Sequence, residues 1–304
     1  METQSLRKIV FEHQGKEIRD ISRIHNKGEV NDIYVLTTDL LKYVLRVDPN
    51  ESSPVRFQKE AWCMGAADKA GVPVPKPLRV GMEGTRPYML MSYCAGTRGE
   101  DADTESKDII WGNLGEYARK LHSIKVTGFG ETMDAPGHFS GSWTEYLDYN
   151  ISSLNNEDEL LALGTITREQ SEALKEIFLH LKNTKLNFGL VHNDLSLKNT
   201  ILGSDGTVYL LDWGSAGAYA VPHMDLAEVL QFSLKENWPE FRLFLNGYGM
   251  GRDEFEKLKP DVWRLQLLTL IDKVRWAIDK QPSSIEQKAE GLLGAIADYS
   301  RSLN

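Results

Sequence analysis

Residues Val191 to Ala216 read VHNDLSLKNTILGSDGTVYLLDWGSA, which sets His192, Asp194, Asn199 and Asp212 at fixed intervals between short apolar runs. The runs TIL and TVYLL flank Gly203-Ser204-Asp205-Gly206, a combination that predicts a hairpin. Two carboxylates and one amide therefore occupy the loops before and after a tight turn whose neighbours ask to be buried. Hard oxygen ligands suit a hard cation. Magnesium keeps several waters and takes only one or two protein ligands besides substrate phosphates, so Asn199 and Asp212 could supply them. Asp194, five residues before Asn199, could accept a proton from an attacking hydroxyl. A phosphoryl-transfer site needs such groups beside a closed core.

The rest of the chain sets the frame for that site. With 304 residues, 41% hydrophobic and 26% charged, it has material for substantial cores, and its length predicts two lobes. The opening METQSLRKIVFEHQGKE lacks the apolar centre of a secretion signal, and we find no run of about 18 apolar residues to span a bilayer. A cytoplasmic protein without a membrane partner is the expectation. Cys63 and Cys94 have neither disulfide-framework nor metal-ligand spacing and are expected as buried thiols.

Charge is unevenly distributed. Residues 1–94 carry 14 Lys and Arg against 12 Asp and Glu, whereas the remainder carries 21 against 32, so the whole acidic excess lies downstream. That field repels nucleic acid and attracts a cationic small molecule.

Hydrophobic periodicity places the elements. Asp32 to Val47 predicts a hairpin around Thr37-Thr38-Asp39. Ser53-Pro54 predicts a capped helix, with proline at its first position, running to about Gly71. Phe57, Glu60, Ala61 and Met64 share one face of it, which puts a carboxylate on an apolar stripe. After RPYMLMSY the pattern turns helical, with stripes at Leu114, Tyr117, Ala118 and Leu121, at Leu226, Val229, Leu230 and Ser233, and at Leu267, Leu270, Ile271 and Val274. The boundary falls near Tyr93. The fold class is α+β and bilobal: a small β-rich N-terminal lobe, 1–93, and a larger, mainly helical C-terminal lobe, 94–304.

His192-x-Asp194 with Asn199, followed by Leu211-Asp212-Trp213-Gly214, resembles the catalytic and metal-binding loops of the protein-kinase-like fold. More narrowly, HNDLSLKN with LLDWGSA looks like the aminoglycoside phosphotransferase family of small-molecule kinases. LHSIKVTGFGE, SWTEYL and VPHMDLAEVL agree in order, and the likeness spans roughly residues 20 to 280. It implies ATP or GTP as phosphoryl donor, Mg2+ as cofactor, and a small-molecule hydroxyl acceptor. Asp194 would orient or deprotonate that hydroxyl, Asn199 and Asp212 would hold the metal, and His192 would brace the catalytic loop, with direct acid-base work as its other reading.

In kinases a basic residue on the third strand contacts the nucleotide phosphates and pairs with a helix glutamate. The resemblance places Arg46 there, with Glu60 as partner and Lys42 as the other candidate; a carboxylate on an apolar stripe separately asks for a cation nearby. The stretch with Gly28 and Asn31 resembles the family's phosphate-covering loop in a version with a single glycine, and reads equally as an ordinary hairpin turn. Backbone groups of Ser92, Tyr93 and Cys94 would receive the base. Asp225 would brace the catalytic loop, with a role as substrate ligand beside Glu228 as the other reading.

Glu228, Glu157, Asp158, Glu159, Asp272 and Asp279 are candidates for binding an amine, or ordinary surface. The short interval from Gly214 to His223, without an Ala-Pro-Glu, disfavours a protein kinase. The acceptor is expected to be aminoglycoside-like or another cationic alcohol. Choline, homoserine, a macrolide or a sugar such as methylthioribose remain open, as does a nucleotide-binding module without catalysis.

Overall fold

The computed structural model describes residues 3–15, 17–24 and 31–302. An unanticipated helix, α1 (Thr3–Gln14), precedes the first strands, β1 (Asp20–Ile24), β2 (Asp32–Thr37) and β3 (Lys42–Val47). Helix α2 (Val55–Lys69) and strands β4 (Pro77–Glu83) and β5 (Arg86–Ser92) complete an antiparallel sheet in the order β1-β2-β3-β5-β4. The predicted hairpin pairs Asp32 with Val47 and Thr37 with Lys42.

Alternation along β3 divides its side chains between two helices. Tyr43, Leu45 and Val47 join Leu6, Ile9 and Val10 of α1 in one core. Val44 packs into the other core with Phe57 and Met64 of α2, and Arg46, two residues on, shares that face. Helix α2 begins one residue later than predicted: Pro54 sits at the cap itself, and no side chain caps the helix.

A second, three-stranded sheet begins with β6 (Thr97–Arg98), which is followed by α3 (Thr104–His122). Next come β7 (Thr127–Ala135), β8 (His138–Gly141), α4 (Trp143–Ser153), α5 (Glu159–Ala162) and α6 (Arg168–Asn183). Strands β9 (Asn187–Val191), β10 (Thr200–Leu202), β11 (Val208–Leu210) and β12 (Gly217–Val221) carry the site loops. Helices α7 (His223–Phe232), α8 (Pro239–Tyr248), α9 (Arg252–Lys280) and α10 (Ile285–Ser302) complete the larger part. Helices α3 and α8 meet backbone to backbone: a Cβ on Gly115 would fall 1.9 Å from the Phe244 carbonyl, so only glycine fits. No helix among the described residues is long and apolar enough to cross a membrane.

The strands fix where the polar loops begin and end. Val191 pairs with Gly217 in the sheet ordered β8-β7-β12-β9, and Thr200 pairs with Leu210 in the sheet ordered β11-β10-β6. The loop from His192 to Asn199 and the loop from Leu211 to Ala216 are therefore pinned side by side at both ends.

Candidate active site

Backbone pairing brings the three polar residues into one neighbourhood. Asn199 donates from Nδ2 to the Asp194 carbonyl at 2.9 Å, while its own carbonyl accepts from the Leu211 amide at 2.8 Å. With Nδ2 so engaged, Oδ1 is the end of that side chain left to ligate a cation. Asp212 has φ of 55°, a left-handed conformation that aspartate tolerates better than most residues, and its side chain is 55% exposed. Arg46 Nη2 lies 3.8 Å from Asp212 Oδ1. An amide oxygen and a solvent-facing carboxylate form a hard donor set that fits magnesium, with positions left for water and phosphate.

Asp194 holds its carboxylate partly exposed, 3.3 Å from the Lys198 ammonium. Asn193, just before it, is also left-handed, at φ 63°, and its amide donates to Asp225 Oδ1 at 2.9 Å. Asp225 is buried and takes a second hydrogen bond from His122 Nε2, also at 2.9 Å. It braces the loop that carries Asp194. Ser233 adds a hydroxyl donated to the Leu195 carbonyl at 3.2 Å.

His192 is fully buried, and burial pushes its imidazole below the usual value of 6.5. The neutral ring donates from Nε2 to the Leu211 carbonyl at 2.9 Å and packs edge-on against Trp213, centroids 4.8 Å apart. It thus ties one loop to the other from beneath.

His223 is likewise lowered by burial. Because both rings regain an ordinary pKa on unfolding, the unfolded chain binds more protons below about pH 6.5, and stability falls as pH drops through that value toward the folded-state pKa values. The melting temperature is expected to fall from about pH 7 to about pH 5, less steeply in His192→Gln. Parallel pH profiles would contradict this.

The strand–helix pair is present. Arg46 Nη1 donates to Glu60 Oε2 at 2.5 Å, and its guanidinium stacks 5.5 Å from the Phe57 ring centroid. Glu60 is 0% exposed, and Arg56 Nε stands 3.8 Å from its other oxygen. Lys42 is exposed, with its ammonium over the Tyr93 ring. Removing one partner of a buried ion pair strands the other, so Arg46→Met is expected to cost about 3 kcal/mol. Chemical denaturation would measure it, and a double variant with Glu60→Gln should recover part of the loss.

Other expected residues divide. Gly28 lies outside the described residues. Asn31 precedes β2, with a buried Oδ1 that has no partner among the described residues. The Ser92 amide is already bonded to the Lys76 carbonyl at 3.0 Å, because strand pairing continues to that residue; Tyr93 and Cys94 follow the strand's end. Cys63 is fully buried, whereas Cys94 is only partly so, a correction that follows from its place just past the strand. Burial pushes the thiols up to about 12 and about 11 respectively.

Several acidic residues are committed within the fold. Glu228 receives Lys273 at 3.1 and 3.2 Å, Asp158 receives Arg275 at 3.1 Å, and Asp272 accepts from the Tyr146 hydroxyl. Glu157, Glu159 and Asp279 are exposed.

One residue of the site was not anticipated. Lys59, next to Glu60 on α2, is only 3% exposed and donates to three carbonyls of the Asp212 loop: Trp213 at 3.3 Å, Gly214 at 2.6 Å and Ala216 at 2.9 Å. Its signal in the sequence was Cys63, one turn on, and Ala67 beyond it, which extend the buried face past the predicted stripe.

A braced loop carrying Asp194 and Asn199, beside a second loop carrying Asp212 and an arginine held by a helix glutamate, suits a phosphotransferase of the kinase-like fold. A model of the phosphotransferase enzyme family matches residues 21–260, and the chain belongs to that family. Among solved structures, the aminoglycoside phosphotransferase APH(4)-Ia is 15% identical with a TM-score of 0.73, covering 97% of this chain and 99% of that one. The GDP and kanamycin complex of APH(2")-IIia is 14% identical, TM-score 0.68, covering 96% and 98%. Spectinomycin phosphotransferase APH(9)-Ia, in complex with ADP and spectinomycin, is 14% identical, TM-score 0.61, covering 98% of each chain. No curated protein matches.

Proposed function

We propose that this phosphotransferase is a small-molecule kinase that moves the γ-phosphate of ATP or GTP to a hydroxyl of an aminoglycoside-like or other cationic acceptor. The observation carrying this reading is the double pinning of the two loops, at Val191–Gly217 and at Thr200–Leu210, which gathers Asp194, Asn199 and Asp212. In this reading residues 1–93 form the nucleotide-binding lobe and 94–304 the catalytic and acceptor-binding lobe. Arg46, oriented by Glu60, meets the nucleotide phosphates; Tyr93 and Cys94 offer backbone groups to the base.

Asn199 Oδ1 and the Asp212 carboxylate would hold magnesium, which neutralises phosphate charge when bound. Asp194 accepts the proton of the acceptor hydroxyl through its carboxylate as that oxygen bonds the γ-phosphorus and the bond to the departing ADP or GDP oxygen, in line with it, breaks. The motif offers no separate nucleophile, so transfer is direct and no phospho-enzyme forms. The excess of acidic residues after Cys94 supports a cationic acceptor. So do the nucleotide and aminoglycoside or spectinomycin complexes of the structural neighbours. Because Glu228, Asp158, Asp225 and Asp272 have partners inside the fold, attraction comes from the overall field and the exposed carboxylates.

The testing experiment incubates the protein with magnesium and ATP or GTP against aminoglycosides, spectinomycin, choline, homoserine, macrolides and methylthioribose, and identifies the product by mass spectrometry. A phosphorylated cationic alcohol is the expected result. Phosphorylation of a neutral sugar alone would contradict the acceptor class, and a phosphorylated protein would contradict the reading itself.

A further inference from the structure

We infer that Lys59 is a positioning residue for the metal-binding loop, coupling helix α2 to the carboxylate of Asp212. The inference rests on the assignment of Asp212 to magnesium and goes beyond it, since Lys59 would touch neither nucleotide nor metal.

Three observations carry it. First, an ammonium has three donors, and the loop presents three carbonyls within 3.3 Å of Lys59 Nζ, all in the four residues that follow Asp212. Second, Asp212 is left-handed at φ 55°, a conformation that persists only where its surroundings hold it. The clamp begins at its very next residue, Trp213, whose indole is buried and donates to the Leu210 carbonyl at 3.2 Å on the other side of Asp212.

Third, Lys59 neighbours Glu60, which holds Arg46. A Cβ built on Gly214 would lie 3.5 Å from Asp212 Oδ1, 3.5 Å from Arg56 Nη2 and 3.8 Å from Glu60 Oε1. One turn of α2 therefore sets both the phosphate-facing arginine and the metal-facing carboxylate. A lysine at 3% exposure is a costly residue to bury, and fixing this loop is what its three bonds accomplish. If α2 shifts, the Arg46 guanidinium and the Asp212 carboxylate move together.

The test is calorimetric titration of ADP into the full-length protein, with EDTA and across a magnesium series, for wild type, Asp212→Asn, Lys59→Met and Lys59→Gln, with a thermal melt of each. Wild type is expected to bind ADP more tightly as magnesium rises, and Asp212→Asn to lose that dependence. Lys59→Met should need at least about ten-fold more magnesium for the half-maximal effect, the range for losing a group that orients a metal ligand. Its metal-free ADP affinity should stay at the wild-type value. Lys59→Gln, which keeps two donors on a shorter stem, should fall between and stays informative if the methionine variant does not fold.

Wild-type magnesium dependence in the lysine variants would overturn the inference while leaving the assignment of Asp212 intact. Equal weakening with and without metal would also overturn it, by showing a role in the fold alone. An absence of magnesium dependence in wild type would overturn the metal assignment and this inference with it.

Discussion

Asp212→Ala is expected to lower turnover at saturating magnesium by about 1,000-fold, the upper end of what removing one group that stabilises transition-state charge costs. Its carboxylate extends from a loop whose other polar atoms are largely engaged: the Trp213, Gly214 and Ala216 carbonyls by Lys59, the Leu211 carbonyl by His192, and the Leu211 amide by Asn199. No neighbour on that loop can replace it. Alanine is also a poor residue at φ 55°, so part of any loss could come from loop distortion. Asp212→Asn separates the two effects, since asparagine accepts the left-handed conformation and keeps the shape while removing the charge. Both variants should fail, with the asparagine variant melting near wild type. Near-full turnover in either would contradict the metal assignment.

Asp194→Ala is expected to reduce acceptor phosphorylation by 10² to 10⁴-fold, the range associated with losing a general base. Nucleotide affinity should hardly change. The Asp194 side chain meets Lys198 on the exposed side of the loop, whereas the loop's bracing runs through the Asp194 backbone carbonyl, the Asn193 amide and His192. Truncation removes the proposed proton acceptor and leaves that scaffold standing. Single-turnover kinetics beside an ADP titration would measure both quantities. A variant that lost nucleotide affinity and turnover together would make Asp194 part of the nucleotide site instead of the base.

Much of this was legible in the residues because the site is local in sequence. Asp194, Asn199 and Asp212 lie within one stretch whose Gly203–Gly206 turn forces the two loops together, and Thr200–Leu210 pairing follows from that turn. The Arg46–Glu60 pair was legible through the resemblance to kinases, and the carboxylate on an apolar stripe, which needs a cation, supported it separately. Helix α1 was not foreseen, although Leu6, Ile9 and Val10 have helical spacing, because the helix is short and has no acidic residue in its first turn to mark its start.

Lys59 was missed because its partners are main-chain carbonyls more than 150 residues away, which side-chain patterns do not encode. Asp158 and Asp272 resemble surface residues in sequence. They turn inward because Arg275 and Tyr146 arrive from helices far along the chain.

Asp194-dependent transfer from a nucleotide to a small-molecule hydroxyl can be read in a coupled assay of ADP or GDP release with magnesium, with and without each cationic acceptor, on wild type and Asp194→Ala in parallel. Acceptor-dependent release by wild type should disappear in the variant, while both proteins bind the nucleotide. Equal release from the two proteins, or release that no acceptor changes, would contradict it.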